Sequence, residues 1–149
     1  MGQAKTLSGG CLCGAVRFTA TPENHNYTAC HCDMCTKASG GSAYLSLHCP
    51  NEAVQIEGDA KIGIYSSSDW AERHFCKNCG TPLFYKFKKT GEYGISVGLF
   101  DDSEDFEMVM QYFIDTKPAH YSFANETKKM TRAEVFAAFA PSSDGGDNV

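Results

Sequence analysis

Short strand-forming runs punctuated by turn residues, few helical periods and an apolar content high enough for a core predict a mainly β domain. The chain has 149 residues, the size of one domain. Its 42% hydrophobic and 21% charged residues are the balance of a chain that folds rather than one that stays disordered. Ten phenylalanines and seven tyrosines add bulk to the core.

Residues 1–5 are small and polar and are expected to fray, as are residues 142–149 (SSDGGDNV), which leaves a single domain over 6–141. Residues 15–19 alternate apolar and polar after a glycine, and residues 42–47 are a β-prone run after Gly40 and Gly41. Residues 54–56 and 62–65 flank Gly58-Asp59, the turn signal of a hairpin. Residues 83–87, 93–99 and 109–114 complete the expected strands. A short helix is expected over 33–39. A clearer one covers 131–139, where Thr131 and Glu134 have capping-box spacing and Val135, Phe136 and Phe139 form a stripe for core packing.

Thirteen basic against eighteen acidic residues give a net charge of −5, which argues against nucleic acid as a partner. The longest apolar run, residues 135–140, is far below the ~20 residues of a membrane span. The first five residues carry no apolar signal segment, so a reducing, cytoplasmic setting is expected. In that setting eight cysteines read as metal ligands or reactive thiols rather than as a disulfide framework.

The cysteines fall into two groups. Cys11-Leu12-Cys13-Gly14 and Cys76-Lys77-Asn78-Cys79-Gly80 have the form of metal knuckles, in which a turn aims backbone amides at the sulfurs and the glycine relieves crowding. Together they offer four thiolates, the closed shell of structural zinc, and would staple the N-terminal strand to the middle of the chain. A Cys11–Cys13 disulfide is disfavoured by strain. Cys30, Cys32 and Cys35 lie within six residues and converge on one ion if the segment coils. Three protein ligands leave a position for water or substrate, as in reactive zinc sites. The alternative is a second closed site, completed by His31, His48, Cys49 or His74.

Residues 10–16 (GCLCGAV), 30–35 (CHCDMC), 73–83 (RHFCKNCGTPL) and, more weakly, 97–101 (VGLFD) resemble, in order and separation, the glutathione-dependent formaldehyde-activating enzyme family, which includes centromere protein V-like members. The resemblance implies an Mss4-like fold of coiled antiparallel sheets with one C-terminal helix. It also implies two zinc ions, one structural on Cys11, Cys13, Cys76 and Cys79, the other on Cys30, Cys32 and Cys35 as an open catalytic site. The activity it implies is carbon–sulfur lyase chemistry on a glutathione, or other thiol, adduct of formaldehyde or a related aldehyde. A non-catalytic zinc module that binds a protein or thiol is the alternative. A thiol redox enzyme built on Cys49 is a third reading, weakened because no second free cysteine remains to resolve it.

Several residues keep two readings. Arg73 faces an anionic substrate carboxylate or pairs with the acidic surface. Cys49 is a buried small hydrophobe, a fourth ligand or a redox thiol. His31 is expected to support the second site from behind rather than to bind its ion. Ser66, Ser67 and Ser68 form a ligand-binding or a purely polar turn, and the acidic run over 101–107 is expected to be a solvated loop. His120 resembles a family position near the site.

Overall fold

The computed structural model describes residues 5–139. Of the termini expected to fray, 1–5 and 142–149, all but Lys5 lie outside the described residues. Among the described residues eleven strands form two sheets. The smaller holds β1 (Leu7–Gly10), β2 (Arg17–Ala20) and β5 (Val54–Glu57), in the order β1-β2-β5 and antiparallel throughout.

The larger sheet has eight strands. They are β3 (Asn26–Cys30), β4 (Tyr44–Cys49), β6 (Ile62–Ser66), β7 (Ala71–Cys76), β8 (Pro82–Phe87), β9 (Tyr93–Ser96), β10 (Glu107–Tyr112) and β11 (Lys128–Met130). They run in the order β11-β10-β3-β4-β9-β8-β7-β6. The pairs are antiparallel except at one edge, where β10 lies parallel to both β3 and β11.

The mainly β architecture expected from the sequence is therefore present, but the hairpin over 54–65 does not form. β5 pairs with β2, and β6 pairs with β7 in the other sheet. Gly58 sits at φ 86° with its α-carbon pressed on the Ala15 carbonyl; a β-carbon there would lie 2.0 Å from that oxygen. A short 3-10 turn, Asp59–Lys61, then redirects the chain. The glycine turns the chain between sheets rather than back on itself. The strand expected to reach residue 99 also stops early, because Val97–Leu99 closes into a 3-10 turn after β9.

The main core fills the space between the sheets. Val16, Phe18 and Ala20 face Leu47, Leu83, Phe84 and Ile95, all buried. Phe18 meets Phe84 and Phe100 edge to face, with centroids at 5.8 and 5.2 Å. Such pairs contribute about 0.5–1.5 kcal/mol each beyond area burial.

Two α-helices flank the large sheet. Helix α1 (Asp33–Ser39) starts on Cys32, whose sulfur accepts from the Cys35 amide, and ends on Gly40 in the left-handed region. Helix α2 (Arg132–Phe139) carries the expected capping box: the Glu134 amide donates to the Thr131 hydroxyl at 3.2 Å, and the Thr131 amide to Glu134 Oε1 at 2.8 Å. Its half-buried Val135 and Phe136 pack on a second, smaller core, while Phe139 is exposed.

Candidate metal centres

The first cluster forms where the turn after β1 meets the end of β7. The sulfurs of Cys11, Cys13, Cys76 and Cys79 all lie within 4.8 Å of one another. Cys11–Cys13 and Cys13–Cys76 are separated by 3.7 and 3.8 Å. Sulfurs at the corners of a tetrahedron around zinc, with Zn–S near 2.3 Å, stand about 3.8 Å apart. The donor set and its spacing thus fit zinc.

Amides converge on these sulfurs as a knuckle requires. Val16 N–H donates to Cys11, Ala15 N–H to Cys13 and Cys79 N–H to Cys76, at 3.3–3.4 Å. The Asn78 side-chain amide reaches Cys13 at 3.1 Å. The Thr81 hydroxyl lies 3.1 Å from Cys79 Sγ, and this contact leads the hydrogen bonds that hold the Cys79 thiol down at about 5. Donors aimed at sulfur favour the thiolate, the form that binds metal. The glycines after each pair act differently from expectation. Gly14 and Gly80 both sit at φ 81°, and a β-carbon on either would meet nothing within 4 Å. They supply the left-handed turn, not space.

The second cluster is built from one continuous segment. Cys30 closes β3, Cys32 caps α1 and Cys35 lies in its first turn, and the three sulfurs gather within 4.8 Å. Cys32 and Cys35 are buried, and Cys30 is partly so. Hydrogen bonds with Cys30 and Cys35 hold the Cys32 thiol down at about 3, while those with Cys32 and Cys35 push the Cys30 thiol up. Three sulfurs this close, two of them buried, cannot all ionise together without a cation, which a soft divalent metal would supply. Among the described residues no fourth histidine, cysteine or carboxylate joins this group.

Each side chain weighed as a fourth ligand is engaged elsewhere. His31 is buried with both ring nitrogens occupied: Nε2 lies 2.8 Å from Gln111 Oε1 and Nδ1 3.1 Å from the Tyr121 hydroxyl. With Nε2–H donating to the amide oxygen, Nδ1 accepts from the phenol, and burial holds the ring below its ordinary pKa. Gln111 in turn donates to Thr127. His48 is exposed beside Glu92, and His74 is held by Glu72 against Phe84. Cys49 is enclosed in the main core, where burial pushes its thiol up to about 11.

Arg73, in the middle of β7, faces sulfur, an arrangement neither of its two sequence readings contained. Its Nη2 donates to Cys35 Sγ at 3.5 Å and its guanidinium lies 4.8 Å from the Tyr85 ring centre. Its Nε–H is buried without an acceptor.

The remaining candidates have structural partners. Ser66 accepts from Lys88, Ser67 donates to the Ala71 carbonyl and Ser68 accepts from the Trp70 amide, which is the polar-turn reading. In the acidic run, Asp101 pairs with Arg17 and Asp105 with His25. His120 is exposed, its ring against Tyr121.

The surroundings of the second cluster were not foreseen. Strand register sets Tyr44 and Tyr112 on either side of Cys30. Tyr44 is buried, donating to the Gly94 carbonyl and accepting from Ser96. Phe113, at φ 58° and buried, packs against Phe136 of α2, which also meets Trp70. A buried phenylalanine in the left-handed region costs of order 1–3 kcal/mol, and it directly follows the strand that flanks Cys30. No sequence signal marks these aromatics; strand pairing assembles them.

The fold and the two sulfur clusters define a mainly β protein with one four-cysteine and one three-cysteine centre. Residues 6–116 match the family model of the glutathione-dependent formaldehyde-activating enzyme. The chain belongs to that family, a family of enzymes. An uncharacterized lyase of Schizosaccharomyces pombe is 37% identical over 128 residues, covering 85% of this chain and 92% of the relative. A putative glutathione-dependent formaldehyde-activating enzyme of Halomonas elongata is 33% identical over 85 residues, 52% of this chain and 54% of that protein. A crystal structure of a Rhodobacter sphaeroides protein shares the fold, with TM-score 0.57 at 19% identity over 69% of this chain and 100% of that one.

Proposed function

We propose that the protein is a zinc-dependent carbon–sulfur lyase acting on the adduct of glutathione, or a similar thiol, with formaldehyde or a related aldehyde. The observation that carries this reading is the three-cysteine cluster, which gathers no fourth protein ligand among the described residues. In the proposal Cys11, Cys13, Cys76 and Cys79 hold a structural zinc, and Cys30, Cys32 and Cys35 hold the second. When bound, the second zinc supplies a soft position for a thiol sulfur as its thiolate.

The chain's own residues do the rest. Tyr44, Phe113, Tyr112, Val135 and Phe136 pack around the cysteines and keep water away. Arg73 sets a positive charge beside Cys35. In the making direction the thiolate attacks the aldehyde carbon, the C–S bond forms as the C=O π bond gives its electron pair to oxygen, and that oxygen takes a proton from solvent in place of the one the thiol released; cleavage reverses each step. The family membership and the relatives' names support the thiol and the aldehyde as partners. Three metal-binding thiols also suit a reducing compartment, so the proposed location is the cytoplasm, with one catalytic domain over 6–141. No helix among the described residues is long and apolar enough to cross a membrane.

Proton NMR exchange between formaldehyde, glutathione and their hydroxymethyl adduct tests the activity. The zinc-loaded protein should accelerate exchange above the spontaneous rate, and Cys32→Ala should lose the second zinc and the acceleration together. Undiminished exchange in Cys32→Ala would sink the mechanism.

A further inference from the structure

Resting on the thiol-binding reading above, we propose that Arg73 is a positioning residue that makes the second centre selective for sulfur as an anion, rather than a clamp for a substrate carboxylate. Three observations carry it. The guanidinium donates to Cys35 Sγ at 3.5 Å. It is held over the Tyr85 ring, 4.8 Å from its centre. Its Nε–H is buried with no acceptor, so no carboxylate or carbonyl holds the guanidinium away from the sulfur.

The charge balance gives the reason. Three thiolates around a divalent ion leave a residual −1, which would repel a fourth thiolate. The guanidinium cancels that charge, so an arriving thiolate meets a neutral centre instead of an anionic one. A guanidinium within about 4–6 Å of an arriving thiolate favours the anion by about tenfold or more. An arginine suits the task because it stays charged at any working pH and because its flat face stacks on Tyr85 while its edge points N–H groups at sulfur. No carboxylate is paired with it among the described residues, so its charge is spent on the sulfurs.

The strand makes the arrangement possible. β7 places Arg73 opposite Tyr65 on one side and Tyr85 on the other, and ends three residues later at Cys76 of the first cluster. The first centre therefore anchors the strand that carries the charge for the second.

The test uses the zinc-loaded protein, with metal content measured on every sample, and binding followed by calorimetry. Three probes separate the possibilities: glutathione, 2-mercaptoethanol (a thiol without carboxylates) and S-methylglutathione (carboxylates without an ionisable sulfur). Arg73→Gln should weaken both thiols by the same factor, about tenfold or more, and leave S-methylglutathione unchanged. Arg73→Lys, which keeps the charge, should keep the zinc and recover most of the thiol affinity. A loss confined to glutathione and S-methylglutathione overturns the inference in favour of a carboxylate clamp. Unchanged thiol binding in Arg73→Gln, or an Arg73→Lys variant as weak as Arg73→Gln, overturns it as well. If the unaltered protein binds neither thiol, the functional reading fails with it; if it binds both and Arg73→Gln binds both as tightly, only the role of Arg73 fails.

Discussion

Cys49 shows what burial does to a thiol that no metal claims. It is enclosed between the sheets, and its thiol is pushed up to about 11. In the unfolded chain a cysteine ionises near 8.5. Between those values the folded protein keeps a proton that the unfolded chain releases, so stability falls as pH rises. The loss begins near pH 8.5, approaches about 1.4 kcal/mol per pH unit and ends near pH 11, while below pH 8 Cys49 adds no pH dependence. Cys49→Ala should therefore be less stable at pH 7 by about 1–2 kcal/mol for the lost sulfur, and that deficit should shrink above pH 8.5 and reverse sign by about pH 10.5. The cluster thiols are common to both proteins and cancel in the difference. Urea midpoints across that range are the measurement, and a constant deficit would mean that the Cys49 thiol is not perturbed. The same burial keeps Cys49 from acting as a redox thiol, because the reactive form is the thiolate.

Helix α2 shows the same logic one level up. Its capping box satisfies one amide from each side, and Thr131→Ala should cost about 1 kcal/mol. Because α2 touches the rest through half-buried Val135 and Phe136, that cost should appear as faster hydrogen exchange in 132–139 with β7 and β8 amides unchanged. Uniformly faster exchange would instead mean that α2 unfolds only with the whole domain. This helix was legible in the sequence because caps and apolar stripes are local signals, as were α1 and most of β2, β4, β8 and β10. The misplaced hairpin and the parallel edge formed by β3, β10 and β11 were not, because partners distant in sequence decide them, and β1 (LSGG) and β7 (AERHFC) were missed because neither carries an apolar alternation. The sites divide the same way. Seven of the eight cysteines declare their grouping by spacing. Tyr44 and Tyr112 beside Cys30, and Arg73 against Cys35, exist only once register is set.

Across the whole molecule the two centres differ in what they tie together. The second draws its sulfurs from Cys30 to Cys35, a span that α1 already organises. The first joins Cys11 and Cys13 to Cys76 and Cys79, bridging the turn after β1 to the end of β7 and so closing a long stretch of the chain into one loop. On the chain-entropy scale used for cross-links, closing a loop of about 65 residues constrains the unfolded state by about 4 kcal/mol, against about 2 for a loop of five. Four thiolates with amide donors also hold zinc more tightly than three. Graded chelator titration of the two-zinc protein should therefore release one equivalent with little change in far-ultraviolet circular dichroism. The second should leave together with the fold. Cys76→Ala should reproduce that instability without chelator, whereas Cys35→Ala should fold with one zinc and lose thiol binding. Release of both ions in a single step coincident with unfolding would show that the second centre is as much a staple as the first, and the division into a structural and a reactive site would have to be given up.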